Sequence, residues 1–376
     1  MPMVCLSDFE AYAKKHLPKS TWDYIAAGAD ECWTREENLL AYKRIRFRPR
    51  MLRDVSMMDT RTTLLGMEIS FPVGIAPTGF HQLVCPDGEK STARAAEAMN
   101  TCYIASTYST YSMEEIVAAA PGGFRWFQLY IHQNRRLSEQ LVQRAEALGF
   151  QALVLTVDVP YGGKRRVDIH NNFQLPPHME VENFRGSIEV GAVERCMVTP
   201  EGWARAPCPS KNDRSEYGLP AHSFDPSVCW DDIYWLRSLT HLPIIVKGIL
   251  TQEDADLAMK HGVQGIIVSN HGGRQLDSTP ATINALIEIK ETVQDRIEVY
   301  VDGGIRTGSD VLKALALGAK YVFIGRPTLW GLAYKGEEGL REVLQILKDE
   351  FHLSMALAGC KKVSEIGRHL VQFSRL

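Results

Sequence analysis

Eight short apolar segments recur along the sequence, and most of them are followed by a segment with helical periodicity. Their apolar residues do not alternate with polar ones, which indicates parallel strands buried on both faces. Eight strand–helix units predict an α/β fold of the (β/α)8 TIM-barrel type, with a doubly wound sheet as the alternative. The predicted strands are residues 72–76, 102–105, 125–130, 152–157, 243–247, 265–269, 298–302 and 321–325.

Helix boundaries leave their own signals. Thr251 and Thr307 are each followed three residues later by an acid, as expected of N-cap residues. Gly149, Gly262 and Gly318 stand where three helical patterns end before the next strand, a position that favours glycine. These signals support a regular alternation of helices and strands.

The order of the elements predicts a single domain over residues 1–376. Residues 1–70 are interpreted as a mostly helical N-terminal arm, residues 71–350 as the barrel and residues 351–376 as a C-terminal tail. The segment 170–226, after the fourth strand, is rich in proline, glycine and charge. A loop of this length in a compact domain is usually a lid or a disordered segment.

Composition argues against several classes of function. The net charge of −3, without a stripe of Lys and Arg, gives no reason to expect a nucleic-acid partner. No apolar stretch reaches about 18 residues and the N-terminus becomes charged early, so neither a membrane span nor a signal peptide is expected. The eight cysteines are scattered without a C-x-x-C pair, which indicates free thiols in a reducing compartment and no metal site.

Polar residues follow all eight predicted strands. In a barrel of this type the active site lies at the C-terminal ends of the strands. One such residue could be structural, for example a lysine paired with a buried acid, but their coincidence at eight strands favours a site. The residues at this predicted mouth include Thr78, Ser106, Tyr108, Gln128, Tyr130, Thr156, Asp158, Lys247, Ser269, His271, Arg274, Asp302, Arg306, Gly325 and Arg326.

The loops after the seventh and eighth strands suggest a phosphate site. The first reads DGGIRTGSD (302–310) and the second IGRP (324–327). Barrels commonly bind phosphate with these two loops, and glycines, arginines and a capped helix N-terminus all favour an anion. The alternative is a pair of ordinary turns with two surface arginines.

The segment SNHGGRQLD (269–277) follows the sixth strand and places a base close to an anion clamp. His271 can accept a proton near neutral pH, and Arg274 can bind a carboxylate through two parallel hydrogen bonds. Gly272 and Gly273 are expected to let the loop bend and to leave room for a flat cofactor or substrate. A structural histidine beside a surface arginine is the alternative.

Taken together, the motifs resemble those of the FMN-dependent 2-hydroxy acid oxidases, and the resemblance covers essentially the whole chain. Within this family it is closest to the vertebrate long-chain branch, through APTGFH (76–81) and the terminal QFSRL. The motifs are IAPTG (75–79), FQLY (127–130), LTVD (155–158), PIIVKGI (243–249), SNHGGRQLD, DGGIRTGSDVLKALALGA (302–319) and FIGRP (323–327).

The resemblance implies FMN as cofactor and assigns residues to it. Ser269 and Lys247 would belong to this set, with Lys247 near N1 of the flavin, where its charge can stabilise the reduced ring. The flavin would contact Ala76, Pro77, Thr78, Ser106, Gln128 and Thr156. The ribityl phosphate would be held by Asp302, Gly303, Gly304, Arg306, Gly325 and Arg326.

The resemblance also assigns the substrate site and the chemistry. His271 would be the catalytic base, oriented by Asp158, and Tyr130 would be a further catalytic group. The product would be a 2-oxo acid made from an (S)-2-hydroxy acid, with O2 reduced to H2O2. The substrate would be surrounded by Tyr24, Tyr108, Tyr130, Arg165 and Arg274.

The choice of substrate and acceptor keeps alternatives open. Tyr108 stands where glycolate oxidases carry tryptophan, which favours medium- or long-chain substrates, although a tyrosine there could instead suit lactate, leaving a short-chain glycolate or lactate oxidase as the alternative. A dehydrogenase using a quinone or haem is less expected, because residues 1–70 leave no room for a haem domain and residues 178–222 are polar rather than apolar. A catalytically silent flavin-binding protein is disfavoured by the retention of His271 and Arg274.

The C-terminal residues predict a location. Ser374, Arg375 and Leu376 form a variant of the S-K-L tripeptide that the peroxisomal import receptor reads. A peroxide-producing oxidase of fatty-acid metabolism would belong in the peroxisome. The resemblance further suggests a homotetramer or larger assembly.

Overall fold

A closed barrel of eight parallel strands, β4 to β11, forms the centre of the protein; the computed structural model describes residues 2–185 and 224–373. All eight predicted strands are confirmed, with ends that agree to within two residues. Neighbours pair in chain order, and the pairing of Val322 with Val73 helps to close the ring. The strands are β1 Ile45–Phe47, β2 Thr62–Leu64, β3 Met67–Ile69, β4 Val73–Ile75, β5 Tyr103–Ala105, β6 Arg125–Leu129, β7 Leu153–Thr156, β8 Ile244–Ile249, β9 Gly265–Val268, β10 Glu298–Asp302, β11 Tyr321–Ile324 and β12 Val371–Phe373.

Helices alternate with the barrel strands, and the expected helix ends are confirmed. The Oγ1 atoms of Thr251 and Thr307 accept hydrogen bonds from Asp254 N and Asp310 N, respectively, and Gly149, Gly262 and Gly318 have φ of +75°, +67° and +109°. The α-helices of the described residues are α1 Leu6–His16, α2 Lys19–Ala26, α3 Trp33–Lys43, α4 Gly88–Ala98, α5 Met113–Ala119, α6 Arg135–Ala147, α7 Arg166–His170, α8 Asp232–Leu239, α9 Gln252–Lys260, α10 Thr282–Val293, α11 Gly308–Ala316 and α12 Arg326–Ala358.

The arm and the tail differ in detail from the boundaries drawn on the sequence. The arm is helical only as far as Lys43 and then contributes three short strands, of which β1 pairs antiparallel with β12 near the C-terminus. Helix α12 continues past residue 350 to Ala358, with a kink at Lys335 and Gly336. Most of the long segment 170–226 lies outside the described residues.

The hairpin β2–β3 closes the N-terminal end of the barrel. Leu64 and Ile69 pack with the inward-facing aromatic rings of the strands, and Leu65 N donates to the Glu298 carboxylate at the start of β10. The interior at this end is therefore filled by side chains. The opposite end remains open for a ligand.

The arm also covers part of the open end. Ala29 N donates to Gly273 O at 2.8 Å, and Asp30 N donates to Lys164 O at 2.9 Å. The Asp277 carboxylate accepts hydrogen bonds from backbone N–H groups at the beginning of α3, which anchors that helix to the loop after β9. The arm thereby brings Tyr24 and Ile25 to the mouth.

No helix in the described parts of the chain combines the length and apolarity that crossing a membrane requires.

Candidate active site

The mouth of the barrel encloses a cavity of about 160 Å³ that brings together nearly every residue assigned to a site from the sequence. Asp158 and Ser269 do not line it but lie directly behind: Asp158 contacts His271, and Ser269 Oγ accepts from Lys247 Nζ at 3.1 Å. The predicted residues that line it are Tyr24, Ala76, Pro77, Thr78, Ser106, Tyr108, Gln128, Tyr130, Thr156, Arg165, Lys247, His271, Arg274, Asp302, Gly303, Gly304, Arg306, Gly325 and Arg326.

His271 and Asp158 form a hydrogen-bonded pair. The Nδ1 atom of His271 lies 2.9 Å from Oδ1 of Asp158. A carboxylate in this position keeps the proton on Nδ1 and leaves the Nε2 lone pair available to accept one. Burial lowers the pKa of His271 and the charge of Asp158 opposes this effect, so the ring is neutral at physiological pH. The pair is therefore suited to act as a base.

Local backbone geometry holds this pair in place. His271 has a φ of +57°, a conformation that is rare outside glycine and often found at functional sites. Gly248 in β8 has a φ of +114°, and a Cβ there would lie 2.8 Å from the Asp158 Cβ. A glycine at position 248 thus makes room for Asp158. This glycine belongs to the motif PIIVKGI, but its role could not be inferred from the motif alone.

Of the two roles expected of the glycines after His271, the bend in the loop and room for a flat ligand, the structure shows the first. Both have positive φ, so the predicted bend is present. The expected room for a flat ligand is not: a Cβ on Gly273 would lie 2.5 Å from Arg35 N, and one on Gly272 would lie 2.8 Å from an Arg326 nitrogen. The space beside these glycines is occupied by the arm and by Arg326.

Arg274 and Arg165 line the same cavity and concentrate positive charge there. Arg274 donates through one terminal nitrogen to Tyr24 O at 2.7 Å and to Ala27 O at 3.2 Å. Arg165 donates from Nε to the Asp168 carboxylate at 2.7 Å. Burial, followed by the charge of Arg165, lowers the pKa of Arg274 to about 10. Two neighbouring guanidinium groups, of which that of Arg165 is buried and that of Arg274 half-buried, favour binding of a carboxylate.

Aromatic residues form another wall of the cavity. The ring centroids of Tyr108 and Tyr130 lie 5.5 Å apart, and Phe224 packs 4.8 Å from Tyr130. Burial, with a smaller contribution from the charge of Asp158, raises the pKa of Tyr130, which therefore remains a hydrogen-bond donor. A Cβ on Gly79 would lie 3.0 Å from Tyr108 O. This glycine accommodates the Tyr108 backbone.

Three buried polar side chains at the mouth fit a flavin. Gln128 Nε2, Thr156 Oγ1 and Asp302 Oδ1 are buried, and none has a hydrogen-bond partner among the described residues. The Gln128 amide is oriented because its Oε1 accepts from Thr107 N at 3.2 Å. Buried polar groups normally have partners. The polar edge of an isoalloxazine ring supplies donors and acceptors for such atoms.

The loops after β10 and β11 fit the phosphate. Gly303 and Gly304 have φ of +93° and +82°. Burial lowers the pKa of Arg306 to about 10. Burial, followed by the charges of Arg274 and Arg306, holds the pKa of Arg326 well below its usual value. Arg326 donates to the backbone carbonyls of Ile25, Gly272 and Ala27, and Arg306 to that of Ile305. Their positive charge therefore has no carboxylate bonded to it in the described residues, as a phosphate site requires.

The helix N-terminus expected to face the phosphate is already occupied. At the start of α11, Arg306 N and Thr307 N both donate to the Asp310 carboxylate at 3.1 Å, and Gly308 N donates to the Glu350 carboxylate at 2.8 Å. Helix α12 instead begins at the cavity, with Gly325 as its N-cap. The dipole of α12, rather than that of α11, is the one available to an anion.

Comparison with known proteins identifies the family. Residues 13–373 match the FMN-dependent dehydrogenase family. The chain belongs to this family. It is 58% identical to 2-hydroxyacid oxidase 2 of Bos taurus and 56% identical to that of Homo sapiens, with each pair of chains covered completely. It is also 48% identical to glycolate oxidase of Spinacia oleracea, over 98% of this chain and 95% of the relative.

Solved structures agree with the fold. Mandelate oxidase with (S)-4-hydroxymandelic acid superposes with a TM-score of 0.89 at 39% identity, and mandelate oxidase with benzoyl-formic acid with a TM-score of 0.86 at 38% identity; each pair of chains is covered completely. The protein is therefore an FMN-dependent oxidoreductase with a (β/α)8 barrel, and FMN is its cofactor.

Several lining residues had not been anticipated from the sequence. Gln275 lies in the motif of His271 and donates from Nε2 to Asp158 O and Tyr161 O, both at 2.9 Å, which ties the loop after β7 to the loop after β9. Its place within SNHGGRQLD was the available signal. The apolar lining residues Ile25, Phe80, Val159 and Leu329 carry no comparable signal.

Proposed function

We propose that the protein oxidises medium- or long-chain (S)-2-hydroxy acids to 2-oxo acids, with O2 as the electron acceptor and H2O2 as the second product. The observation that carries the proposal is the convergence of His271, Arg274 and Arg165 on one cavity. A base and two anion-binding groups match a substrate whose reacting carbon adjoins a carboxylate. The relatives named 2-hydroxyacid oxidase support this class of reaction.

Binding of the substrate uses the positive side of the cavity. The carboxylate docks against Arg165 and Arg274, and Tyr24, whose ring lies 5.0 Å from the Arg274 guanidinium carbon, packs beside them. Desolvation of two nearby guanidinium groups is unfavourable until an anion arrives, so the site favours the ionised acid. The α-carbon is thereby fixed next to His271 and Tyr130.

Proton transfer belongs to His271. Its Nε2 takes a proton from the substrate, while Asp158 stabilises the imidazolium that forms, through the bond to Nδ1. When bound, FMN would supply the two-electron redox chemistry that links oxidation of the substrate to reduction of O2. Lys247, which lies 3.5 Å from the Asp302 carboxylate, places a positive charge beside the ring-binding residues.

The preference for longer substrates is supported by the apolar and aromatic walls of the cavity. Tyr108 is buried and smaller than the tryptophan expected of a glycolate oxidase. The mandelate oxidases of the same fold bind aromatic 2-hydroxy acids, which are much larger than glycolate. Burial of each methylene contributes about 0.8 kcal/mol.

A short-chain oxidase is the second candidate, and one observation favours it. The Oη atom of Tyr108 is buried without a partner in the described residues, so this wall has a polar point that suits a small substrate such as lactate. A panel from glycolate to 2-hydroxydodecanoate, read by release of H2O2, separates the candidates. Rising kcat/KM with chain length supports the first and a maximum at lactate the second; substrate oxidation without peroxide would contradict O2 as acceptor.

The peroxisome is the proposed location. Ser374, Arg375 and Leu376 lie outside the described residues, and their support is the likeness of the tripeptide to S-K-L. An N-terminal fluorescent fusion should enter peroxisomes, and deletion of the three residues should leave it in the cytosol. Identical distributions of the two fusions would contradict the proposal.

A homotetramer or larger assembly is proposed on the basis of exposed apolar side chains. Leu353 and Leu357 share one face of α12, and Met51 and Leu52 are also exposed close to the end of this helix, where Arg50 N donates to Ala358 O. Apolar groups clustered on a surface favour association. Light scattering of the purified protein should give at least four times the chain mass, and a monomer mass would contradict the proposal.

A further inference from the structure

A second cavity, of about 290 Å³, lies beside the active site on the outer face of the barrel. Leu155 of β7 and Val246 of β8 are in register and line it. The preceding residues on each strand, Val154 and Ile245, pack inside the barrel, so Leu155 and Val246 point outward. Helix α8 and residues 224–230 complete the walls.

The two cavities are neighbours and share part of their walls. Tyr130, Thr156 and Val159 line both of them. Val159 follows Asp158, the partner of the catalytic base, and Tyr130 belongs to the aromatic wall. A group that extends from the substrate α-carbon past Tyr130 and Val159 is thereby directed towards the second cavity.

The chemistry of the second cavity suits an alkyl chain. Most of its lining side chains are aliphatic or aromatic, among them Leu155, Val228, Trp230, Ile233 and Val246, and no described lining residue carries a positive charge. Its two carboxylates are already engaged. Asp225 accepts from Arg135 at 2.7 Å and Asp254 from Thr251 Oγ1 at 3.1 Å.

We propose that this second cavity binds the alkyl tail of the 2-hydroxy acid whose carboxylate is held by Arg165 and Arg274. The proposal rests on the proposed oxidation and adds the part of the protein that determines selectivity for the length of the substrate chain. Charge fixes the orientation, because the arginines line the first cavity, and Asp225 and Asp254 line the second. A substrate with a second carboxylate at the end of its tail meets these two acids.

Val228 offers the cleanest way to change the cavity. It is half-buried, lines the second cavity and not the first, and plays no part in the catalytic or cofactor site. Val228→Phe in the FMN-loaded enzyme should reduce kcat/KM for 2-hydroxyoctanoate by about tenfold or more, since each methylene left in water forfeits about fourfold. The same variant should leave kcat/KM for glycolate within about twofold of wild type.

Two controls make the result specific. Val117→Phe, at a half-buried position of α5 that lines neither cavity, should leave the chain-length profile unchanged. Val228→Ala, which enlarges the cavity, should raise kcat/KM for 2-hydroxydodecanoate relative to 2-hydroxyoctanoate by about fourfold. This second variant keeps the test decisive if the phenylalanine disturbs folding.

A dicarboxylic substrate tests the charge argument. Wild-type kcat/KM for 2-hydroxyoctanedioate should be at least about tenfold below that for 2-hydroxyoctanoate, and the difference should shrink in Val228→Phe. A wild-type advantage for long chains that survives both Val228 substitutions would overturn the tail site and leave the proposed oxidation intact. Failure of the wild-type enzyme to oxidise any 2-hydroxy acid would overturn both proposals.

Discussion

The two ends of the barrel use the same eight strands but treat buried polar groups differently. At the closed end, Tyr300 Oη donates to the Glu298 carboxylate at 2.6 Å, and Tyr321 Oη lies 2.5 Å from Thr101 Oγ1. The hairpin β2–β3 then seals these bonded hydroxyls beneath Leu64 and Ile69. At this end the tyrosine hydroxyls are therefore bonded, whereas the Trp126 indole nitrogen and Arg125 Nε, at the start of β6, have no hydrogen-bond partner among the described residues.

At the mouth, partners are missing and charges of the same sign are crowded together. Gln128 Nε2, Thr156 Oγ1 and Asp302 Oδ1 are buried without partners among the described residues. Arg306 and Arg326 both line the cavity, and burial, followed by the charges of Arg274 and Arg306, lowers the pKa of Arg326. An unsatisfied buried polar group costs about 1–3 kcal/mol. A fold retains several such groups in one place where a ligand supplies the partners, so the closed end provides stability and the open end provides binding.

The largest expected effect follows from removing the base at the open end. His271→Ala should leave FMN bound and slow flavin reduction about 10²- to 10⁴-fold, because a general base contributes an effect of this size. Anaerobic stopped-flow absorbance measures the rate. Tyr300→Phe, at the closed end, is the control and should reduce flavin at the wild-type rate. Near-wild-type reduction in His271→Ala would show that the loop after β9 is structural.

Removing the anion clamp should have the next largest effect. Arg274→Met should weaken binding of both the substrate and 2-oxo acid inhibitors by about 1.5–3 kcal/mol, the usual contribution of a hydrogen bond to a charged group. Inhibition constants for a 2-oxo acid measure this directly. Arg61→Met, which alters an exposed arginine near the closed end, should bind the inhibitor normally. Equal inhibition of both variants would show that Arg274 does not bind the carboxylate of the inhibitor.

The pH dependence should report the environment of His271. Burial lowers its pKa below the ordinary value of 6.5, and Asp158 opposes that shift. Since the neutral ring is the base, kcat/KM should fall about tenfold per pH unit on the acid side, and the fall should begin below pH 6.5. Asp158→Asn, which removes the opposing charge, should move this limb to still lower pH. A limb above pH 6.5 in wild type would contradict the assignment.

A pair of hydroxyl deletions compares the two ends in stability. Tyr321→Phe removes a bonded hydroxyl and should lower the free energy of unfolding by about 0.5–1.5 kcal/mol. Tyr108→Phe removes a buried hydroxyl that has no partner in the described residues, so it should cost nothing or stabilise the protein slightly. Urea unfolding of the FMN-free proteins measures both. Equal destabilisation would mean that the two ends do not differ in this respect.

The smallest expected effect concerns selectivity at the mouth. Tyr108→Trp narrows the aromatic wall and should shift the ratio of kcat/KM for 2-hydroxyoctanoate over glycolate towards glycolate, by about fourfold for each methylene displaced. The substrate panel measures it, with wild type as the reference. An unchanged ratio would show that Tyr108 does not determine selectivity for chain length and would favour the cavity around Val228 as its source.

The barrel and most of the residues assigned to its mouth could be predicted from the sequence, because buried parallel strands and polar residues at strand ends both leave local patterns. The roles of the glycines could not. Gly273 and Gly304 are required by the close approach of Arg35 and Asn38 from the arm, contacts between residues far apart in the chain. The sequence predicts that the N-terminus of α11 faces the phosphate, because the sequence does not show that the Asp310 carboxylate already occupies that N-terminus.

The second cavity could not be predicted from the sequence either, for a physical reason. Its walls are outward-facing residues of β7 and β8, and these have the same aliphatic character as residues that pack under helices. Only the arrangement of α8 and residues 224–230 leaves a space beside Leu155 and Val246. Hydrophobic pattern predicts that a face is buried, but not whether protein or ligand covers it.

We propose that the open end of the barrel holds FMN and delivers to it the electrons of a 2-hydroxy acid. The measurement that tests this directly is anaerobic mixing of the protein, carrying the flavin with which it is purified, with the separate enantiomers of 2-hydroxyoctanoate, followed by absorbance and by chromatography of the released flavin. We expect the released flavin to be FMN, with rapid bleaching by the (S)-enantiomer and little by the (R)-enantiomer. Recovery of FAD, or a flavin that stays oxidised with both enantiomers, would contradict it.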